Sequence, residues 1–272
     1  MSIHQALTIA GSDSGGGAGI QADLKTFQEL GVYGMSVITA VTAQNTAGVQ
    51  GVYPVDPEGV IRQLDSIGED LAPEAVKTGM LFSADIIYEV AQAVQRYGWR
   101  NLVIDPVMVA KGGSVLLQQE AVQALTKHLL PLAEIVTPNV PEAELLTGMS
   151  IRQLQDREEA ARRLTDMGAR YAIVKGGHDL STAGAVDVLY DGQNYHYLET
   201  ARIDTPHTHG TGCTYSAAVT AELARGRSVL EAVHTAKQFI QAAIEDGLGI
   251  GSVHGPTNHF AYRQRGYTHE PS

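Results

Sequence analysis

Short apolar runs alternate with stretches of helical periodicity along most of the chain. Residues 6–10 are a first apolar run that stops at Gly11, as a buried strand would. Ile20, Leu24, Phe27 and Leu30 then fall on one helical face, and Gly31 stops that helix. The same reading predicts strands at 35–44, 75–80, 101–105, 134–137 and 171–175, with a more exposed one at 48–55. Helices are expected at 57–71, 83–97, 118–129, 141–147, 153–167 and 228–246, with Pro131 breaking the third. Another opens near Gly212 and runs into the Ala-rich stretch that follows. Residues 185–190 and 195–199, joined at Asp191-Gly192, predict an antiparallel hairpin. Residues 106–114 contain Gly112 and Gly113 and predict a flap-like loop. The segment from about 260 to 272 predicts a loose polar tail. Strand and helix alternate, which predicts an α/β fold: a mostly parallel central sheet with helices on both faces. No repeat, linker or compositional break interrupts the pattern, so residues 1–272 are expected to form a single domain.

Composition narrows the function classes. The chain has 272 residues and is 44% hydrophobic, enough for a sizeable core. A net charge of −11 argues against non-specific binding to nucleic acid and leaves a small anionic ligand open, since that would feel only the local field. A single cysteine permits no intrachain disulfide and suits a reducing compartment. The N-terminus lacks the basic region and apolar segment of a signal peptide, and no run is long enough to span a membrane. A cytoplasmic protein without membrane attachment is the expectation.

Candidate chemistry collects at the strand ends. In a parallel sheet, ligands bind beyond the carboxyl ends of the strands, and there the chain places Asp13, Gln44, Asp105, Asn139, Lys175 and the loop Gly210-Thr211-Gly212-Cys213. Taken singly, each reads more readily as a helix cap or turn residue than as a ligand contact. The glycine loop 11–19 follows a strand and opens a helix, but it lacks the Gly-Lys-Ser/Thr of a P-loop and does not fit G-x-G-x-x-G. The Gly210 loop opens a helix whose first amides lack internal partners, so it either cradles a phosphate or is simply a capped turn. Asp105 and Glu142 either share a hard cation such as Mg²⁺, or Glu142 merely favours its helix's first turn. Lys175 is either a phosphate contact or an ordinary lysine. Cys213 at a helix start, with His209 nearby, leaves open a nucleophilic dyad beside the reading of a buried inert thiol. Ten histidines supply neither H-E-x-x-H nor a Cys/His cluster, so structural zinc is not expected.

Longer motifs then carry a resemblance. Gly11-Ser12-Asp13 with Gly16-Gly17-Ala18-Gly19-Ile20-Gln21-Ala22-Asp23 resembles the opening of the hydroxymethylpyrimidine/phosphomethylpyrimidine kinases of thiamine biosynthesis, within the ribokinase-like superfamily. So do Val41-Thr42-Ala43-Gln44-Asn45-Thr46, Lys77-Thr78-Gly79-Met80 and Asp105-Pro106-Val107-Met108. Further along, Thr137-Pro138-Asn139-Val140-Pro141-Glu142-Ala143, Val174-Lys175-Gly176-Gly177-His178 and His209-Gly210-Thr211-Gly212-Cys213-Thr214 follow in family order.

The resemblance implies a ribokinase-like fold and Mg²⁺-dependent transfer of the ATP γ-phosphoryl group. The acceptors would be 4-amino-5-hydroxymethyl-2-methylpyrimidine and then its monophosphate. It places the pyrimidine against Gly11, Ala18, Thr42, Met80 and Val107, with Asp23 close by and Gln44 on the aminopyrimidine edge. Some family members carry valine where this chain has Thr42. ATP would face Asn139, Lys175, Thr208 and Lys237, and Asp105 with Glu142 would organise the cation. The amides of Gly210, Thr211, Gly212 and Cys213 would stabilise the moving phosphoryl group, with Cys213 either the base or a group that positions the hydroxymethyl. A homodimer is implied as well. Pyridoxal kinases are close relatives, and some use a second cysteine in the flap, where this chain has Val109-Ala110-Lys111.

Overall fold

A computed structural model describes residues 3–108, 119–177 and 184–267. The chain opens with β1 (Gln5–Asp13), α1 (Gly19–Glu29), β2 (Tyr33–Asn45) and β3 (Gly48–Pro54). It continues through α2 (Pro57–Asp70), β4 (Ala75–Thr78), α3 (Ala84–Arg96), β5 (Leu102–Ile104), α4 (Gln119–Ala124) and β6 (Ile135–Val136). α5 (Val140–Thr147), α6 (Leu154–Asp166), β7 (Tyr171–Val174), β8 (Gly184–Tyr190) and β9 (Tyr195–Ala201) follow. α7 (Thr211–Ala224), α8 (Val229–Glu245) and α9 (Ala261–Gln264) close the chain.

The strands form one sheet in the order β3-β2-β1-β4-β5-β6-β7-β8-β9. Pairings from β2 through β7 are parallel; β3 and the β8–β9 hairpin add antiparallel edges. Side chains alternate between the two faces. Leu7, Ile9, Leu102 and Ile104 pack under α2 to α6, while Ala6 and Val103 pack under α1, α7 and α8. The expected α/β fold with helices on both faces is the fold observed. From β1 the chain crosses to β2 on one side and later to β4 on the other. That reversal opens a crevice at the carboxyl ends of β1 and β4, where ligands bind in such sheets.

α7 occupies the middle of its layer. Every residue from Thr214 to Ala224 is buried, because alanine, serine and threonine let α1, α8 and the sheet approach closely. Its N-terminus therefore reaches the crevice from inside the fold.

Three expectations are corrected. β1 does not stop at Gly11 but runs to Asp13 through a bulge between Ala10 and Ser12, which re-aims its end. Gly11 has no Cβ to collide with Met80, so Met80 closes over the strand there. The helix expected over 118–129 turns to π geometry at Leu125–Leu129 and 3₁₀ at Leu130–Leu132, because Pro131 has no N–H to continue the α pattern. The tail is docked as far as Tyr267. Tyr262 stacks between Phe239 and Tyr267, and Arg265 binds Glu245 and Asp246. From residue 109 the expected flap lies outside the described residues, as do His178 and residues 268–272. Among the described residues, no helix is long and apolar enough to cross a membrane.

Candidate active site

Asp13 at the end of β1 organises the glycine loop. Its Oδ1 accepts from the Gly15 amide (2.8 Å), and its Oδ2 accepts from the amides of Gly17 (3.0 Å) and Ala18 (2.8 Å) and from His209 Nε2 (2.8 Å). Burial alone would raise this carboxyl, but His209 and the Ala18 and Gly15 amides outweigh it and hold Asp13 below its usual range. His209 packs against Gly17, where any side chain would collide with the ring. The Gly210 loop is thus tied to the loop after β1. Gly210, at φ 81° and pressed on the Gly17 carbonyl, turns the chain into α7. Thr208 supports that turn by accepting from the hydroxyl of Thr211 at 2.7 Å.

Beyond this turn the first turn of α7 faces two ionisable groups, Lys175 and Asp105. A Cβ placed on Gly212 would stand 3.4 Å from Lys175 Nζ and 3.8 and 3.9 Å from the Asp105 oxygens. Lys175 Nζ is 3.3 Å from Asp105 Oδ1, and Ser216 donates to Asp105 Oδ2 at 3.2 Å. Burial works against the Lys175 ammonium, but Asp105 and Glu142 hold it above the usual lysine range. Asn139 and Glu142 form a reciprocal capping box at the start of α5, so the cap reading and the proximity to Asp105 both hold. Burial pushes the Glu142 carboxyl up to about 7, with Lys175 opposing and Asp105 adding to the rise.

That shift has a sign. A carboxyl raised in the fold binds its proton more tightly there than in the unfolded chain. The stability it contributes is complete below about pH 4.5 and is lost as the pH rises to about 7. Glu142→Gln should therefore flatten the decline of the urea midpoint over that window in protein free of ligand and cation. An unchanged slope would assign the decline to other groups.

On the β1–β2 side, Gly11 and Met80 are in contact, and Thr42 Oγ1 donates to the Ser12 carbonyl at 2.8 Å. Gln44 is anchored through its backbone to Ser14 and turns its amide toward Thr42 and His209. Ala18 caps α1. Val107, half-buried, follows Asp105 at the end of β5.

Three expected placements change. Asp23 does not line the crevice: it is fully buried, accepts from Lys77 Nζ at 2.7 and 2.8 Å, and takes the Thr8 hydroxyl at 2.6 Å. Burial opposes the Lys77 ammonium, and Asp23 leads the charges that hold it above the usual lysine range. Lys237 does not reach the α7 turn; it binds Asp187 at 2.7 Å and the Ala185 carbonyl at 3.2 Å, bracing the start of β8. The Cys213–His209 dyad is absent, because His209 Nε2 engages Asp13. Burial pushes the Cys213 thiol up to about 11, with Lys77 drawing it down, so the sulfur is neutral at physiological pH and a poor nucleophile.

A family model described as phosphomethylpyrimidine kinase matches residues 13–258. A hydroxymethylpyrimidine/phosphomethylpyrimidine kinase of Bacillus subtilis is 56% identical over 264 residues, covering 97% of each chain. A pyridoxine kinase of the same organism is 50% identical over 266 residues, covering 97% of this chain and 98% of its own. The structure of a Staphylococcus aureus pyridoxal kinase in complex with ADP superimposes with a TM-score of 0.91 at 40% identity, covering 97% of this chain and 96% of that one.

Proposed function

Because the chain belongs to the phosphomethylpyrimidine kinase family, we propose that it transfers the γ-phosphoryl group of ATP to 4-amino-5-hydroxymethyl-2-methylpyrimidine and then phosphorylates the monophosphate, in thiamine biosynthesis. The observation that carries this reading is the first turn of α7, which meets Lys175 and Asp105 at Gly212. Phosphoryl transfer needs positioning and charge neutralisation more than covalent chemistry. The amides of Gly210 to Cys213 would meet the equatorial oxygens as the group moves, where preorganised donors act most strongly. Lys175 would approach the phosphates as a point charge. Cys213, as a neutral thiol, would position the hydroxymethyl group rather than remove its proton.

Gly11, Ala18, Thr42, Met80 and Val107 would hold the ring, and Gln44 would meet its aminopyrimidine edge. Asn139 and Thr208 would lie on the nucleotide side. Asp105 and Glu142 suit Mg²⁺ by the chemistry of their donors: hard oxygens, with one carboxyl raised by burial and its neighbour's charge. Among the described residues no group of three His, Cys, Asp or Glu could hold a metal ion, so phosphate and water would complete the shell. When bound, Mg²⁺ supplies charge neutralisation at the transferring phosphate. A cytoplasmic homodimer belongs to the same proposal.

A second reading, pyridoxal or pyridoxine kinase activity, is favoured by the 50% identity to a pyridoxine kinase over nearly the whole chain. Turnover of ATP with Mg²⁺ should be compared for hydroxymethylpyrimidine, its monophosphate and pyridoxal, with products followed by mass. Phosphorylation of both pyrimidines, with pyridoxal slower, is the expected result. Preference for pyridoxal would favour the second reading, and no phosphorylated product from any of the three would overturn both.

A further inference from the structure

The Gln44 amide sits between two fixed partners, and their protons determine which way round it stands. Its Nε2 lies 3.3 Å from His209 Nε2, and its Oε1 lies 3.2 Å from Thr42 Oγ1. The two ends of a primary amide are nearly alike in shape, so a half-turn about the terminal bond exchanges them without disturbing the packing. Asp13 accepts from two backbone amides through Oδ2 and is held below its usual range, so it carries no proton to give. His209 Nε2, 2.8 Å from that oxygen, must therefore be the donor. An amide N–H directed at the same nitrogen would set two donors against each other. On the other side, Thr42 has one hydroxyl proton, and the Ser12 carbonyl at 2.8 Å is its nearer acceptor. Toward Gln44 the Thr42 oxygen then offers lone pairs.

Both partners demand the same answer. We propose that Thr42 and His209 are positioning residues that lock the Gln44 amide with its oxygen toward His209 and its nitrogen toward Thr42, fixing which way round a donor–acceptor ring edge is read. The inference rests on the reading of Gln44 as the group that meets the aminopyrimidine. An edge with an amino donor beside a ring-nitrogen acceptor matches a carboxamide in one sense only once the carboxamide cannot turn. A substrate with a single ring nitrogen and no neighbouring amine gains nothing from the lock. Ser14, bonded to the Gln44 N–H and C=O, keeps the backbone from rotating to compensate.

Thr42→Val keeps the side chain's outline and removes the hydroxyl. It should raise KM for hydroxymethylpyrimidine about fivefold, the equivalent of one neutral hydrogen bond, with kcat within about twofold. KM for pyridoxal should rise by a clearly smaller factor, and Thr42→Ser should restore the wild-type values. Equal changes for both substrates would show a merely structural role, and no change for either would overturn the positioning role. The lock is also read without any substrate, from nuclear Overhauser contacts of the Gln44 side-chain NH₂ in ¹⁵N-labelled protein. Contacts to the Thr42 methyl group are expected, and contacts to the His209 ring instead would overturn the inference. If the wild-type protein phosphorylates no pyrimidine, the proposed function falls while the NH₂ contacts still decide the lock.

Discussion

Replacing Lys77 with methionine should destabilise the protein by about 3–5 kcal/mol, the usual cost of removing one member of a buried ion pair. Lys77 on β4 and Asp23 on α1 are both fully buried, and the ammonium bonds both carboxylate oxygens. Without it the Asp23 carboxylate would keep, among the described residues, the Thr8 hydroxyl alone as a side-chain donor, in a fully buried site. For a chain of this size the midpoint of thermal unfolding should fall by about 10 °C or more. Asp23→Asn, which leaves the ammonium unpaired, should cost a similar amount. Changing both residues to apolar ones of matching volume should recover much of the loss, since well-packed hydrophobic replacements of buried pairs are often neutral or better. A Lys77→Met protein within about 1 kcal/mol of wild type would mean that water or a rotated neighbour satisfies Asp23 after all.

The same pair shows what could be read in the sequence and what could not. The alternation of runs predicts the sheet, the flanking helices and the residues at the strand ends, because period and topology are local or follow from simple rules. Pairings across the fold are not local. Asp23 and Lys77 are 54 residues apart, and Asp13 and His209 are 196 apart. Signals for the first existed: Lys77 interrupts a strand whose every residue is buried, and Asp23 shares the buried helical face of Ile20 and Phe27. A charged residue on each of two buried surfaces asks for a partner. For His209 the sequence offers only nearness to Cys213, which misleads, since the carboxylate that holds the imidazole comes from the first strand. Lys237 misleads in the same way, because Asp187, its partner, sits in a hairpin strand whose alternation says nothing about α8. Ser216, which bonds Asp105, hides among the small residues of α7, chosen for packing. The docked tail was obscured by composition: Arg265 is polar, yet its guanidinium binds two carboxylates at the end of α8 and just beyond it, and so pins the aromatic residues near it.

Two glycines two positions apart should separate folding from catalysis in the α7 turn. Gly210 has φ 81°, and a Cβ there would run into the Gly17 carbonyl, so Gly210→Ala should lower both the melting temperature and turnover. Gly212 lies inside the helix, and its added Cβ would meet Lys175 and Asp105 only at 3.4 Å and beyond, an ordinary contact that displaces nothing. Alanine also favours helix over glycine by about 1 kcal/mol. Gly212→Ala should therefore melt at or slightly above the wild-type temperature. Yet its methyl group would project into the space between the first amides of α7 and the Lys175–Asp105 pair, where a transferring phosphoryl group would have to lie. Loss of one such stabilising donor typically lowers kcat by about 10²–10³, and Gly212→Ala should fall at least that far, with a smaller change in KM for the pyrimidine. The contrast is the test: an intact fold with lost transfer assigns the chemistry to this turn. Turnover by Gly212→Ala within a few-fold of wild type would mean that the phosphoryl group passes elsewhere, and the role proposed for the α7 amides would fall with it.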